Sequence, residues 1–290
     1  MSEGKLSPLH GLWALTNREL KKWYKEPIIL LLSLVQPILW IAIFGKAMNL
    51  ANMFTGASIQ IPGLTIPKQV IDQIAASVLK QTFGTTDYFS FLAVGMLSFI
   101  VLFTSMSSGM TIVWDRRLGF LGKLLTTPVP RGSIVISKVL ASIIKSLVQA
   151  TIILLIGVLL GLTFNFPIFS PLAFLLTYLA LFLLSFGFSS LFLMLALRST
   201  RWETQMAIMN LLNMPLLFSS NSFYPISSMP YWLKPIALVN PLTYTNAITR
   251  WALLGVAPQV SLTIALIYLV VFAVLFALIG ITLSWRYLSL

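Results

Sequence analysis

Six stretches of this 290-residue chain are apolar for long enough to cross a hydrocarbon core: 28–48, 88–113, 139–164, 168–197, 205–221 and 260–284. A crossing helix needs about 20 such residues. Backbone immersed in lipid must satisfy its own polar groups, so each stretch is expected to be helical. The fifth is interrupted, because Pro215 lies inside it together with Asn210 and Asn213. Pro27 suits the first helical position of the first stretch, where a missing N–H costs nothing. Pro37, deeper in the same stretch, predicts a kink. The pattern therefore reads as an all-α polytopic membrane protein. An amphipathic segment, 1–27, leads into a six-helix transmembrane domain, 28–290, with both termini on one side.

The polar intervals carry patterns of their own. In the N-terminal segment Leu9, Leu12, Trp13, Thr16, Leu20, Trp23 and Tyr24 follow helical spacing, while Arg18, Lys21, Lys22 and Lys25 fall on another face. Such a helix suits the headgroup plane, as an anchor or as a lever on the first span through Pro27. Between the second and third spans, Trp114, Leu118, Leu121 and Leu125 recur at i, i+4, i+7 and i+11 beside Arg116, Arg117 and Lys123. This predicts a helical hairpin with one apolar stripe, stopped by Pro128 and Pro130. Ser133 is the expected cap of the next helix. In the long loop 49–87, residues 67–79 read as a short helix with Val70, Ile71, Ile74 and Val78 on one face.

Composition narrows the class. The chain is 58% hydrophobic and 9% charged, with a mean hydropathy of +0.94. A soluble domain carries about 25% charged residues, so this chain could not clothe itself for water. Lys and Arg total 19 against 7 Asp and Glu. The excess flanks the apolar spans, which points to topology and anionic lipid rather than nucleic acid. On a six-span weave, thirteen cations fall on the side of the termini and five on the other: Lys46, Lys68, Lys80, Lys234 and Arg250. The positive-inside rule then places both termini in the cytoplasm.

Several chemistries are excluded. There is no cysteine, and His10 is the lone histidine, so no thiolate, metal cluster or Ser–His arrangement can be built. No acid lies in the middle of a span, which removes a carboxylate proton relay. The run from Gly119 to Lys123 is too short for a P-loop and is followed by Leu124 instead of Ser or Thr. Residues 1–26 are polar for too long to form a cleavable signal. Lys145 is the one cation well inside an apolar run. With Gln149 one turn on, it either snorkels to the interface or faces a cavity and an anionic headgroup. Arg250 carries the same ambiguity on the far side.

Three runs, in order, carry a family likeness: QPILWIAIFG, VWDRRLGFLGKLLTTPVPRGSIVISK and SSNSFYPISSMPYWLKPIALVNPLTYTNAITR. Together they resemble the membrane-spanning subunit of ABC-2 type exporters, the group that includes daunorubicin-resistance-like and polysaccharide-export permeases. The likeness covers the chain except 49–87. It implies a subunit that pairs with a second permease copy, identical or related, and sits on separate cytoplasmic ABC ATPases. ATP and Mg would be held by those partners, and no cofactor by this chain.

The resemblance also assigns residues. Arg116, Arg117, Leu118, Phe120, Leu121, Lys123, Leu124, Leu125, Pro128 and Arg131 would form the ATPase-coupling interface. Residues 223–249 would form short re-entrant helices at an outer gate, with Phe223, Tyr224, Pro225, Trp232, Pro235, Asn240, Pro241 and Tyr244. The chain departs from the family where many members place more acid in the coupling helix: only Asp115 stands in WDRRLGF. The function so implied is ATP-driven export of an amphipathic, drug-like or lipid-linked substrate across the cell membrane. A motor-independent carrier or lipid scramblase is the alternative.

Overall fold

The fold is taken from a computed structural model that describes residues 8–47, 68–127, 130–199 and 201–288. Among these there is no strand. Helix α1 (Pro8–Lys25) turns at Glu26 into α2 (Pro27–Trp40), the two axes meeting at 68°. Pro37 lies inside α2, and one turn later the chain widens into π-helical geometry over Ile41–Ala47. A proline deletes a backbone donor, and a local change of helical pitch accommodates the loss. Helix α3 (Lys68–Phe83) precedes α4 (Tyr88–Arg117), whose cap is Asp87. The Asp87 carboxylate accepts from the N–H groups of Phe89 (3.0 Å) and Ser90 (3.1 Å).

Beyond α4 come α5 (Phe120–Leu125), α6 (Arg131–Leu159), α7 (Ser170–Arg198) and α8 (Trp202–Phe218). The chain then makes a short 3₁₀ turn at Ile226–Ser228. It finishes with α9 (Lys234–Val239), α10 (Pro241–Leu254) and α11 (Leu262–Leu288). Helix α4 is the hub, buried without interruption from Phe89 to Leu102. Its sequence is apolar around the whole circumference over that length, as a helix with neighbours on every side requires. Helices α6, α7 and α10 pack against it, and α7 in turn holds α11. The outer faces of α2, α8 and α11 present rows of apolar side chains, including Leu31, Leu32, Leu211, Ile267 and Val271. Lipid is the solvent those rows are built for.

Among the described residues four helical stretches are long and apolar enough to cross a membrane, and the bent α1–α2 pair makes a fifth. Helix α8, at 17 residues, is about 25 Å long, short of the roughly 30 Å core. The expected sixth crossing thus depends on the non-helical chain that follows α8. One local expectation is corrected: the third span's helix starts at Arg131 with Pro130 in the cap position, so Ser133 is not its cap. The short helix expected over 67–79 is α3, and among its described side chains Ala75 and Leu79 are buried while Val70 and Ile74 are exposed. The part of the first loop at 48–67 lies outside the described residues.

Helices α6 and α7 meet through small polar residues. Ser142 and Ser189 are 2.7 Å apart, Ser146 and Ser185 2.8 Å, all four buried. Short side chains let two backbones approach, and each hydroxyl supplies the other's partner where no water is present. Replacing Ser185 with Ala is expected to cost about 0.6 kcal/mol, and replacing it with Leu about 1–3 kcal/mol through overpacking. Thermal unfolding of the two variants in detergent should separate them clearly. Equal midpoints would contradict the close α6–α7 contact.

Candidate functional site

The basic side of the molecule is organised around the end of α4. After Arg117 the chain reverses at Gly119, whose φ of +69° is a left-handed conformation open to glycine and costly for a side chain. Helix α5 then runs as a short ledge. Its Leu121 (5% exposed) and Leu124 turn into the core, whereas Leu118 in the reversal is 72% exposed. The single stripe expected over Trp114, Leu118, Leu121 and Leu125 is therefore divided by the turn. Trp114 lies against Trp202, ring centroids 5.8 Å apart, Leu118 points away from the protein, and Leu121 points in. Arg117, Lys123 and Arg131, from the end of α4, from α5 and from the start of α6, are also exposed. Leu125 ends α5, and Pro128 lies outside the described residues.

A buried ion cluster holds this ledge to the N-terminal helix. Lys138 on α6, 2% exposed, donates to Asp115 Oδ2 at 2.6 Å, Glu19 Oε1 at 3.2 Å and Thr111 Oγ1 at 3.1 Å. Asp115 is 1% exposed and Glu19 3%. Lys22 and Arg18 of α1 reach Asp115 Oδ1 at 3.2 and 3.4 Å, and Arg18 also donates to Glu19 at 3.0 Å. The Arg18 guanidinium then lies 3.5 Å from the centre of the Phe120 ring on α5. Three cations and two carboxylates thus join α1, α4 and α6, and the cation–π contact adds α5. Every ammonium or carboxylate withdrawn from water here has a charged partner, the condition under which burial is tolerable.

The cluster changes the reading of several residues. Asp115 faces inward, so it is not offered to anything docking from outside. Glu19 was not singled out by the sequence, although the signal was there: an acid falling in the apolar stripe of an amphipathic helix needs a buried cation. Arg116 donates to the carbonyls of Ser199 (2.8 Å) and Leu197 (3.1 Å), closing the end of α7. Helix ends leave carbonyls unpaired, and a guanidinium satisfies two at once.

On the opposite side the backbone is broken between α8 and α10. Phe223 is buried in an aromatic group with Trp40, Phe44 and Phe218, its ring 5.2, 5.9 and 5.3 Å from theirs. Tyr224 donates to the Phe218 carbonyl at 2.7 Å, Pro225 is buried, and Trp232 and Pro235 are exposed. Asn240 and Pro241 are buried at the start of α10. The Asn240 side chain accepts from the Leu242 N–H at 3.0 Å and donates to the Leu216 carbonyl at 2.6 Å. Tyr244 stacks on Tyr268 at 3.9 Å and donates to the Leu238 carbonyl.

Arg250, 3% exposed, is the centre of this half. It donates to the carbonyls of Phe91 (3.0 Å), Asn221 (2.5 Å) and Ser222 (2.6 Å). Asn246 joins Asn221, Ser222 and Ser98 in the same network. These contacts satisfy the non-helical backbone, which lipid cannot do. Gly95 makes room: a Cβ there would lie 2.6 Å from the Arg250 guanidinium and 2.7 Å from the Ser222 oxygen. Gln149 is buried and spoken for, donating to Ser33 Oγ and accepting from Thr104 Oγ1. It ties α2, α4 and α6 together. Lys145, one turn away, is half-buried.

Removing one member of a buried ion pair leaves an uncompensated charge, at about 3–5 kcal/mol. Asp115→Asn is therefore expected to lower the melting temperature. It should also free α1, so that trypsin cuts faster at Lys21, Lys22 and Lys25, with Asp115→Glu restoring part of the protection. Unchanged cleavage in Asp115→Asn would show that α1 is held by its apolar contacts alone.

Comparison with known proteins places this geometry. The ABC-2 type transporter family matches residues 10–254. The chain is 30% identical over 238 residues to "Putative transport permease ycf38" of Cyanophora paradoxa, covering 82% of this chain and 72% of that protein. The protein of the same name from Pyropia yezoensis is 30% identical over 246 residues, covering 84% and 74%. That from Porphyra purpurea is 29% identical over 232 residues, covering 80% and 69%. The matched interval holds the ion cluster, the ledge and the broken segment through α10, and the chain belongs to the ABC-2 type transporter family of membrane permeases.

Proposed function

We propose that this chain is the membrane-spanning subunit of an ATP-driven exporter in the plasma membrane, with its basic face in the cytoplasm. It works beside a second permease copy and on separate ABC ATPase subunits, which hold ATP and Mg. The cargo is amphipathic, drug-like or lipid-linked. One observation carries the reading: Leu118 is exposed in the reversal between α4 and α5, on a ledge held from behind, and Arg117, Lys123 and Arg131 of the same interval are exposed as well. A large apolar side chain presented to water on the basic face suits a groove in a partner protein, with those cations steering the approach.

In this reading closure of the ATPase pair presses on Leu118 and the outer surface of α5. The ion cluster passes the displacement to α1 and α6 as well as α4. Helix α1 then acts on α2 through the bend at Pro27, and cargo leaves past the segment 223–249. The chain itself performs no covalent chemistry, as the family's role as a transport subunit implies.

The tagged chain should bring down a P-loop ATPase in stoichiometric amount from its native membrane in mild detergent, identified by mass spectrometry. Leu118→Asp should remove that partner and abolish transport while the melting temperature stays unchanged. Leu121 is unsuitable for this purpose, because a buried aspartate would damage α5 itself. An intact, folded chain isolated alone would favour the motor-independent carrier or scramblase, as would transport that survives ATP depletion.

A further inference from the structure

On the side opposite the ledge, against the segment 223–249, lies a recess of about 280 Å³ that docking on the basic face does not explain. It is enclosed by the end of α3, the start of α4, the unwound turn after α8, α10 and the loop that follows it. Phe91, in its wall, is 26 residues along α4 from Arg117, or about 39 Å at 1.5 Å per residue. The recess therefore opens at the far end of the molecule from the basic face. At about 30 Å³ per water, it has room for roughly nine waters, the size of a small polar headgroup.

Its charge is one-sided. Arg250 and Lys80 both line it, and no acid does. Asp87, at the cap of α4, is engaged with the α4 N–H groups and the Ser90 hydroxyl. Arg250 has five N–H donors, of which three are used on the carbonyls of Phe91, Asn221 and Ser222. Among the described residues no further acceptor and no ion pair reaches it. The Phe91 ring lies over this guanidinium, 3.4 Å from its centre, so its neighbours are a ring face and carbonyl dipoles, and an anion in the recess would be its counter-ion. Lys80 is exposed at the rim, where a flexible ammonium can close over a bound group. The remaining walls combine polar Thr82, Ser227 and Gln259 with apolar Phe83, Val256 and Pro258. The apolar members suit the glycerol or first methylenes that adjoin a phosphate.

We propose that this recess binds a phosphate group, with Arg250 at its base and Lys80 at its rim. A lipid headgroup and free inorganic phosphate both offer that chemistry, and the apolar walls give the lipid the advantage. The assignment does not depend on an ATPase partner.

Calorimetric titration of the purified full chain in detergent tests it, with dihexanoyl phosphatidic acid, inorganic phosphate and dihexanoyl phosphatidylcholine as probes. Phosphatidic acid should bind saturably, one per chain and at least tenfold tighter than phosphatidylcholine. Lys80→Glu, at an exposed position, should weaken it at least tenfold, while Arg198→Glu on the other side should not. Inorganic phosphate binding at least tenfold more weakly would identify the lipid as the source, and equal affinity would identify the free anion. No saturable binding of either anion, equal binding of phosphatidylcholine, or indifference to Lys80→Glu would each overturn the site.

Discussion

Asp115, Lys138 and Glu19 are charged, almost wholly buried, and drawn from three different helices. Each could be removed from water only because the other two were present. That mutual dependence fixes α1 against the basic ends of α4 and α6, and through Arg18 over Phe120 it fixes α5 as well. Apolar packing in a lipid environment gives little reason for one helix to choose a particular register against another. Directional charge-assisted bonds do, and here they set where the ledge stands. The exposed position of Leu118 is a consequence, since a turn at Gly119 would be aimless if α5 were not held from behind.

The same helix carries the second constraint at its other end. The Phe91 carbonyl accepts from Arg250, and Gly95 leaves space for that guanidinium to reach the Asn221 and Ser222 carbonyls. A chain that breaks its helix after α8 exposes backbone groups that lipid will not accept. Arg250, Asn246 and Asn240 accept that task between them. Helix α4 thus connects an ion cluster on one side with a polar clamp on the other, along a shaft buried on every face from Phe89 to Leu102. A push at the ledge and a change at the broken segment are joined by one rigid element.

Much of this was legible in the sequence. Long apolar runs gave the helices, prolines marked the start of α2 at Pro27 and the breaks after α8, and the three family-like runs pointed to the family. What was not legible depended on pairing across distance. Asp115 and Lys138 looked like loop charges, yet they meet each other and Glu19, which precedes them by 96 and 119 positions. Periodicity predicted a continuous stripe through Leu118 and Leu121 because it cannot register a left-handed glycine between them. Arg250 read as either an interface cation or one facing a cavity, since nothing local shows that three carbonyls from distant segments converge on it. The length of α8 shows the same limit: residues 205–221 looked like a full crossing, but the helix ends at Phe218 and the rest is turn.

The central claim is that α1 and the ledge form one body. The cysteine-free background allows it to be measured by electron–electron double resonance between spin labels at Ala14→Cys and Gly122→Cys. Both positions are exposed, and a Cβ at 122 meets nothing within 4 Å. One narrow distance, unchanged when the ATPase-bound permease is given ATP, is the expected result. A broad distribution, or a distance that shifts with nucleotide, would mean that α1 and α5 move independently and that the buried ions do not transmit the stroke.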